Sequence, residues 1–124
     1  YNVSGQLGDN TTTDRSTATP VIGIDGTTAI NSGGTHTCAR IQDGTVTCWG
    51  NNQFGQLGDN TTTNRLTPTP VAGLNGTTAI NAGDSHTCAL QQRNTMYCWG
   101  LNDNGQLGDG TTTNRLTPTL VAPL

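Results

Sequence analysis

Apolar and polar positions alternate with a period of two in two stretches of this chain, residues 36–50 and 86–100. Nowhere does the 3.6-residue spacing of a helix face occur. In the second stretch His86, Cys88, Leu90, Met96 and Cys98 fall on one face, and Thr87, Ala89, Tyr97 and Trp99 on the other. Each stretch reads as a β-hairpin. Both faces carry apolar groups, so the pattern predicts sheets covered on both sides, as in stacked units. In the first hairpin a three-residue loop, Gln42-Asp43-Gly44, sets Ile41 against Thr45, Ala39 against Thr47 and Cys38 against Cys48. Such a loop needs a left-handed residue at its third position; Gly44 supplies it without steric cost, and Asn94 holds the equivalent place. Directly opposed antiparallel residues have Cα atoms roughly 4.5–5.5 Å apart, within the reach of a disulfide. The spacing therefore predicts Cys38–Cys48 and Cys88–Cys98 disulfides, each stabilising by about 2–3 kcal/mol through loop closure.

The rest of the chain repeats around these hairpins. Gly-Gln-Leu-Gly-Asp occurs at residues 5–9, 55–59 and 105–109, and Thr-Thr-Ala-Ile-Asn at 27–31 and 77–81. The period of fifty gives one repeat over 1–50, a second over 51–100 and a partial third over 101–124. A fixed period of this size marks stacked supersecondary units. Within each, a Gly-rich turn leads through a Thr/Asn/Arg stretch to a segment such as Pro68-Thr69-Pro70-Val71, which proline restricts to a sheet edge. A short strand over 77–82 and the hairpin complete the unit. About four strands in ~50 residues is the size of a propeller blade. The expected fold is all-β: about two and a half ~50-residue blades in a single repeat region, part of a propeller or of an open repeat assembly, with essentially no helix.

Gly-Gln-Leu-Gly, followed by His-Thr-Cys-Ala-Leu and then Tyr-Cys-Trp-Gly, resembles the regulator of chromosome condensation repeat, and the resemblance runs through the whole chain. Known members form seven-bladed propellers, so the resemblance implies a blade fold and a protein-binding role. The family includes a nuclear exchange factor for a small GTPase and a bacterial inhibitor of β-lactamase, so the resemblance names no single partner. No motif here corresponds to the exchange factor's residues. The paired cysteines depart from the nuclear protein and look more like secreted or surface-displayed bacterial forms.

Composition narrows the setting. The 124 residues suit one small domain, and the net charge is only −3. Few Val, Leu, Ile and Phe would warn of disorder in a highly charged chain, but low charge and an ordered repeat argue against it. There is no Lys and no Glu, so the chain lacks the basic footprint of a nucleic-acid binder. No apolar run approaches the ~20 residues of a membrane span. Cysteines in two hairpin pairs indicate an oxidising compartment. So do four N-glycosylation patterns, beginning at Asn2, Asn10, Asn60 and Asn75, with glycans as the modification they would carry. A chain starting at Tyr1 reads as a processed protein or a segment of a longer one.

Several residues invite chemistry, each with a plainer alternative. His36, Cys38 and Cys48 share a face, as do His86, Cys88 and Cys98, but zinc thiols usually sit two to four residues apart, which favours disulfides and no metal. The two histidines lack an activated nucleophile and are expected to pack between units, bonded to backbone. Asp9, Asp59 and Asp109 recur with Arg15, Arg65 and Arg115; the carboxylates are expected to bond their own turns, and the arginines a carboxylate of the adjacent unit. Turns such as Asn102-Asp103-Asn104-Gly105 lack the closing Glu of a calcium loop. Trp49, Trp99, Tyr97 and Phe54 read either as a sugar-stacking surface or, better, as packing between units. The Thr triplets read as exposed loop material. Together these readings predict a non-catalytic, cofactor-free scaffold, extracellular or on the cell surface. Its partner is protein, either further repeats of a longer chain or other copies of itself. The alternatives are a subunit of a self-assembling surface filament and a carbohydrate-binding module.

Overall fold

The computed structural model describes residues 1–122. It holds two four-stranded antiparallel sheets. The first consists of β1 (Thr27–Ser32), β2 (His36–Ile41), β3 (Val46–Gly50) and β4 (Arg65–Pro70), in that order; the second consists of β5 (Thr77–Ala82), β6 (His86–Gln91), β7 (Met96–Gly100) and β8 (Arg115–Leu120). The only helical element described is a single 3-10 turn, Gln92–Asn94. Strands follow from the β-branched Thr, Val and Ile of these segments, and turns from Gly and Asn.

The hairpin register is the expected one. Cys38 pairs with Cys48 and Ala39 with Thr47; fifty residues on, Cys88 pairs with Cys98. Both disulfides are formed, with Cα atoms 4.1 Å apart in each. Gly44 turns the first hairpin at φ +86°, and Asp43 Oδ1 accepts bonds from the Thr45 amide and hydroxyl. The second hairpin reaches the same register differently, with Arg93 and Asn94 both left-handed (φ 68° and 60°).

The sheets are framed out of step with the sequence period. Each takes its outer strand, β4 or β8, from the residues that follow its hairpin by a whole connector, so one sheet spans 27–70 and the other 77–120. Pro68 and Pro70 lie on β4, which pairs only with β3 and is an edge, where a missing N–H costs no ladder bond. Residues 15–20, in the same phase as β4 and β8, form no strand.

The core lies between the sheets. The forward face of the first (Cys38, Val46, Cys48) meets the back face of the second (Ala89, Trp99, with Ile80 and Tyr97 at the margin), and Leu57, Val71 and Leu74 of the connector close it. Eight of these residues expose under a tenth of their surface, which places the main apolar gain at this junction.

Candidate interaction surface

Three in-phase connectors build the loops, each pinned by a buried asparagine: Asn2, Asn52 and Asn102 are all inaccessible to solvent. The Asn52 amide donates to Asp59 Oδ1 (3.1 Å) and to the carbonyls of Thr61 (2.9 Å) and Thr63 (3.0 Å), while its oxygen accepts from Leu57 N (2.9 Å). Asn2 and Asn102 repeat this set. The aspartate then accepts from the amide and hydroxyl of the threonine two residues on, and from an arginine: Arg15 to Asp9 (2.9 Å), Arg65 to Asp59 (2.8 Å) and Arg115 to Asp109 (2.7 Å). The arginines thus pair within their own connector, not with an adjacent unit as expected, because the Asn-centred loop folds the guanidinium back over six residues. The Thr11 hydroxyl, helped by Arg15, holds the Asp9 carboxyl down at about 2 against the opposing pull of burial. Asp109 is lowered by Thr111 and Arg115; Asp59 is lowered although burial alone would raise it, through Thr61, Arg65 and Asn52.

This network corrects one sequence expectation. Asn2 begins a glycosylation pattern, yet its amide is sealed among four loop partners, so a glycan there is incompatible with the fold. Asn10, Asn60 and Asn75 are exposed, the first two at left-handed turn positions. The asparagine pin itself escaped the sequence reading. Its signal was present: Asn recurs three residues before each Gly-Gln-Leu-Gly while the residues between them vary.

The junction of the sheets carries specific polar pairs. Asn31 Oδ1 accepts from Ala82 N (2.9 Å), Gly34 N donates to Asp84 O (3.1 Å), and Thr77 N donates to Gly44 O (3.0 Å). Arg40 donates to Thr77 O. His36 Nε2 meets the Thr87 hydroxyl at 2.9 Å, and that hydroxyl donates to Gln56 O (2.8 Å). The histidine is a packing residue between units, as expected, but its partner is a side-chain hydroxyl and not backbone. Burial pushes the His36 pKa down to about 4, and the nearby His86 adds to this, so the ring is neutral at pH 7. All four thiols are in disulfides, and no three His, Cys or Asp side chains among the described residues converge as a metal site.

Trp49 and Trp99 are buried (2% and 0% exposed), and the Trp99 indole donates to Gln56 O (3.0 Å). Neither ring can stack on a sugar. Tyr97, half-buried, lines an open groove of about 490 Å³ with Leu74, Asn75 and Pro118. What remains outward is the pair of sheet faces at the two ends. The forward face of the second sheet shows Met96 (43% exposed) beside half-buried Cys88 and Leu90, around a shallow depression of about 250 Å³. The back face of the first shows Ile30, 69% exposed. These positions carry the residue types that the central junction buries.

Blades of this topology, repeated at fifty residues with a Gly-Gln-Leu-Gly lid on each hairpin, match a known pattern. The regulator of chromosome condensation (RCC1) repeat matches over residues 43–90 and 94–124, and a second model of the same repeat over 28–56 and 78–106. The chain belongs to the RCC1 repeat family. Its fold is similar to a chain in the crystal structure of Kap60 bound to yeast RCC1 (Prp20), with TM-score 0.82 and 21% identity over 96% of this chain and 31% of that one. It is also similar to Prp20p from Saccharomyces cerevisiae (TM-score 0.71, 22% identity, 78% of this chain and 26% of that one). Human WBSCR16 gives TM-score 0.71 at 26% identity, over 82% of this chain and 28% of that one. The chain thus spans about a third or less of the length of each. No curated protein sequence matches it. The two sheets are RCC1-type propeller blades.

Proposed function

We propose that this RCC1-repeat chain is a non-catalytic scaffold that binds other proteins, working extracellularly or at a cell surface. The observation that carries the reading is the pair of end faces, which offer junction-type residues (Ile30 at one end; Met96, Leu90 and Cys88 at the other) on a frame stapled by two disulfides. A rigid frame loses little conformational freedom on binding, and uncovered apolar positions supply the gain. The neighbouring structure whose description names binding to Gsp1p and histones is consistent with a protein-binding use of this fold. The disulfides favour an oxidising compartment. A carbohydrate-binding reading has lost both indoles to the core.

Cross-linking in the native setting tests the reading, comparing the wild-type chain with a Leu90→Arg/Met96→Arg variant. Protein partners are expected on the wild type and lost from the variant; equal recovery from both would overturn it. Intact mass with and without reduction, on protein taken from its own cells, tests the compartment. Free thiols there would refute it.

A further inference from the structure

We infer that Asn75 is a site of spontaneous deamidation in the folded chain, and that Asn104, which also precedes a glycine, is protected from it. Nothing in this chemistry depends on what the scaffold binds. Asn75 is exposed, and among the described residues neither its side chain nor the Gly76 N–H has a hydrogen-bond partner. Gly76 carries no side chain, and a Cβ placed there would stand 3.6 Å from its nearest neighbour, Gln91 Oε1, so the nitrogen is sterically open. The equivalent turn one period earlier shows how near the two groups come. There Asp25 precedes Gly26; both glycines sit at φ +68°, and Gly26 N donates to Asp25 Oδ1 at 2.9 Å. A side chain at this position folds back onto the nitrogen that follows it, which is the approach that ring closure requires. Asn104 lacks this freedom. Gly105 N donates to Asn102 O (3.0 Å), inside the loop pinned by that buried asparagine. Asn104 N donates to Gln106 Oε1 (2.9 Å) and its side-chain amide to Asp103 Oδ1 (3.1 Å), and closing a ring there breaks these bonds.

Water is the one co-reactant, and nothing is oxidised or reduced. The Gly76 nitrogen gives its proton to solvent and bonds to Asn75 Cγ; the Cγ–Nδ2 bond breaks, and the departing nitrogen takes up a proton and leaves as ammonia. Water then adds to the cyclic imide. Opening at Cγ restores the main chain and leaves aspartate. Opening at the main-chain carbonyl routes the chain through Cγ and leaves isoaspartate, with one more carbon in the backbone. Asp25 shows that aspartate fits this turn. The longer backbone does not, because the turn is held on both sides. Leu74 and Thr77 are buried (7% and 0% exposed), Thr77 N donates to Gly44 O (3.0 Å), and Gly76 O accepts from Gln92 N (3.3 Å). Aspartate is therefore the main product in the folded chain, and its charge joins the rim of the groove that Tyr97 lines.

The test incubates the intact, disulfide-bonded chain at mildly alkaline pH, beside a sample reduced and unfolded in denaturant. Trypsin then cuts after Arg65, Arg93 and Arg115, so mass spectrometry reads Asn75 in the peptide 66–93 and Asn104 in 94–115. In the folded chain Asn75 is expected to lose its amide at least about tenfold faster than Asn104, the factor set by giving up the bonds at Gly105 and Asn104. On unfolding the two rates are expected to converge. Equal rates in the folded chain, or one ratio in both samples, would overturn the inference, as would a glycan on Asn75 in protein from its own cells. Aspartate is expected to exceed isoaspartate in the folded sample alone, and an Asn75→Asp variant to melt with the wild type. Isoaspartate prevailing in the folded chain, or an Asn75→Asp variant that melts earlier, would overturn the product assigned.

Discussion

The two disulfide hairpins are nearly the same object in different company. In the first, Cys38, Val46 and Cys48 are covered by the second sheet, exposing 0%, 1% and 0%. In the second, Cys98 is still buried beside its strand neighbours, but Cys88 is half-buried and Met96, the counterpart of Val46, is 43% exposed. Register, disulfide and turn position are shared; burial is not. The difference teaches that the repeat encodes a sheet with two adhesive faces, and that the neighbour alone decides which face becomes core.

The sharpest way to break this contrast is to charge both positions. Val46→Asp is expected to cost about 3–5 kcal/mol or abolish folding, because a carboxylate takes the place of a sealed apolar side chain at the junction. Met96→Asp is expected to stay within about 0.5 kcal/mol. Denaturant titration reads both, and equal losses would refute the assigned faces. Removing each disulfide comes next. Cys88→Ala/Cys98→Ala should lose about 2–3 kcal/mol. Cys38→Ala/Cys48→Ala should lose more, since it also opens a void under the second sheet. Under graded reductant, peptide mapping should find Cys88–Cys98 opened first.

Acid separates the junction histidine, His36, from the connector carboxylates. The lowered His36 pKa means that the unfolded chain binds the extra proton first, so its share of stability is full above pH 6.5 and is lost as the pH falls towards 4. The Asp9 share, with a pKa near 2, persists above about 4 and is lost only below that. Melting temperatures should therefore fall in two stages on acidification, and His36→Gln should remove part of the first. A single stage unchanged by that variant would count against the buried, neutral ring. A more modest loss is expected from threonine. Thr87→Val loses the bonds to His36 and Gln56 and should cost about 1–3 kcal/mol; Thr37→Val, which loses only Gln6 O, should cost about 1 kcal/mol.

Much of this was legible in the chain. Equal arms about Asp43, with Gly44 or Asn94 at the turn, gave the register and hence the disulfides, because local turn chemistry and a period of two suffice. The two-faced alternation foretold stacking. Long-range choices were less visible. That Arg65 folds back onto Asp59 depends on a loop shaped by Asn52, and polar pins leave no mark in a hydrophobic pattern. That β4 completes the sheet of the preceding hairpin, and not one of its own repeat, is a matter of which edge lies nearest. The strand pattern is the same in either case.

That lap of one unit over the next has a mechanical consequence. Each connector is a plank nailed to two frames, an outer strand for one sheet and a cover for the tryptophan of its successor. No blade can be lifted out without stripping its neighbour, so the two should melt as one body, and a gene that gains or loses repeats can splice at any phase of the period and still produce an overlapping joint.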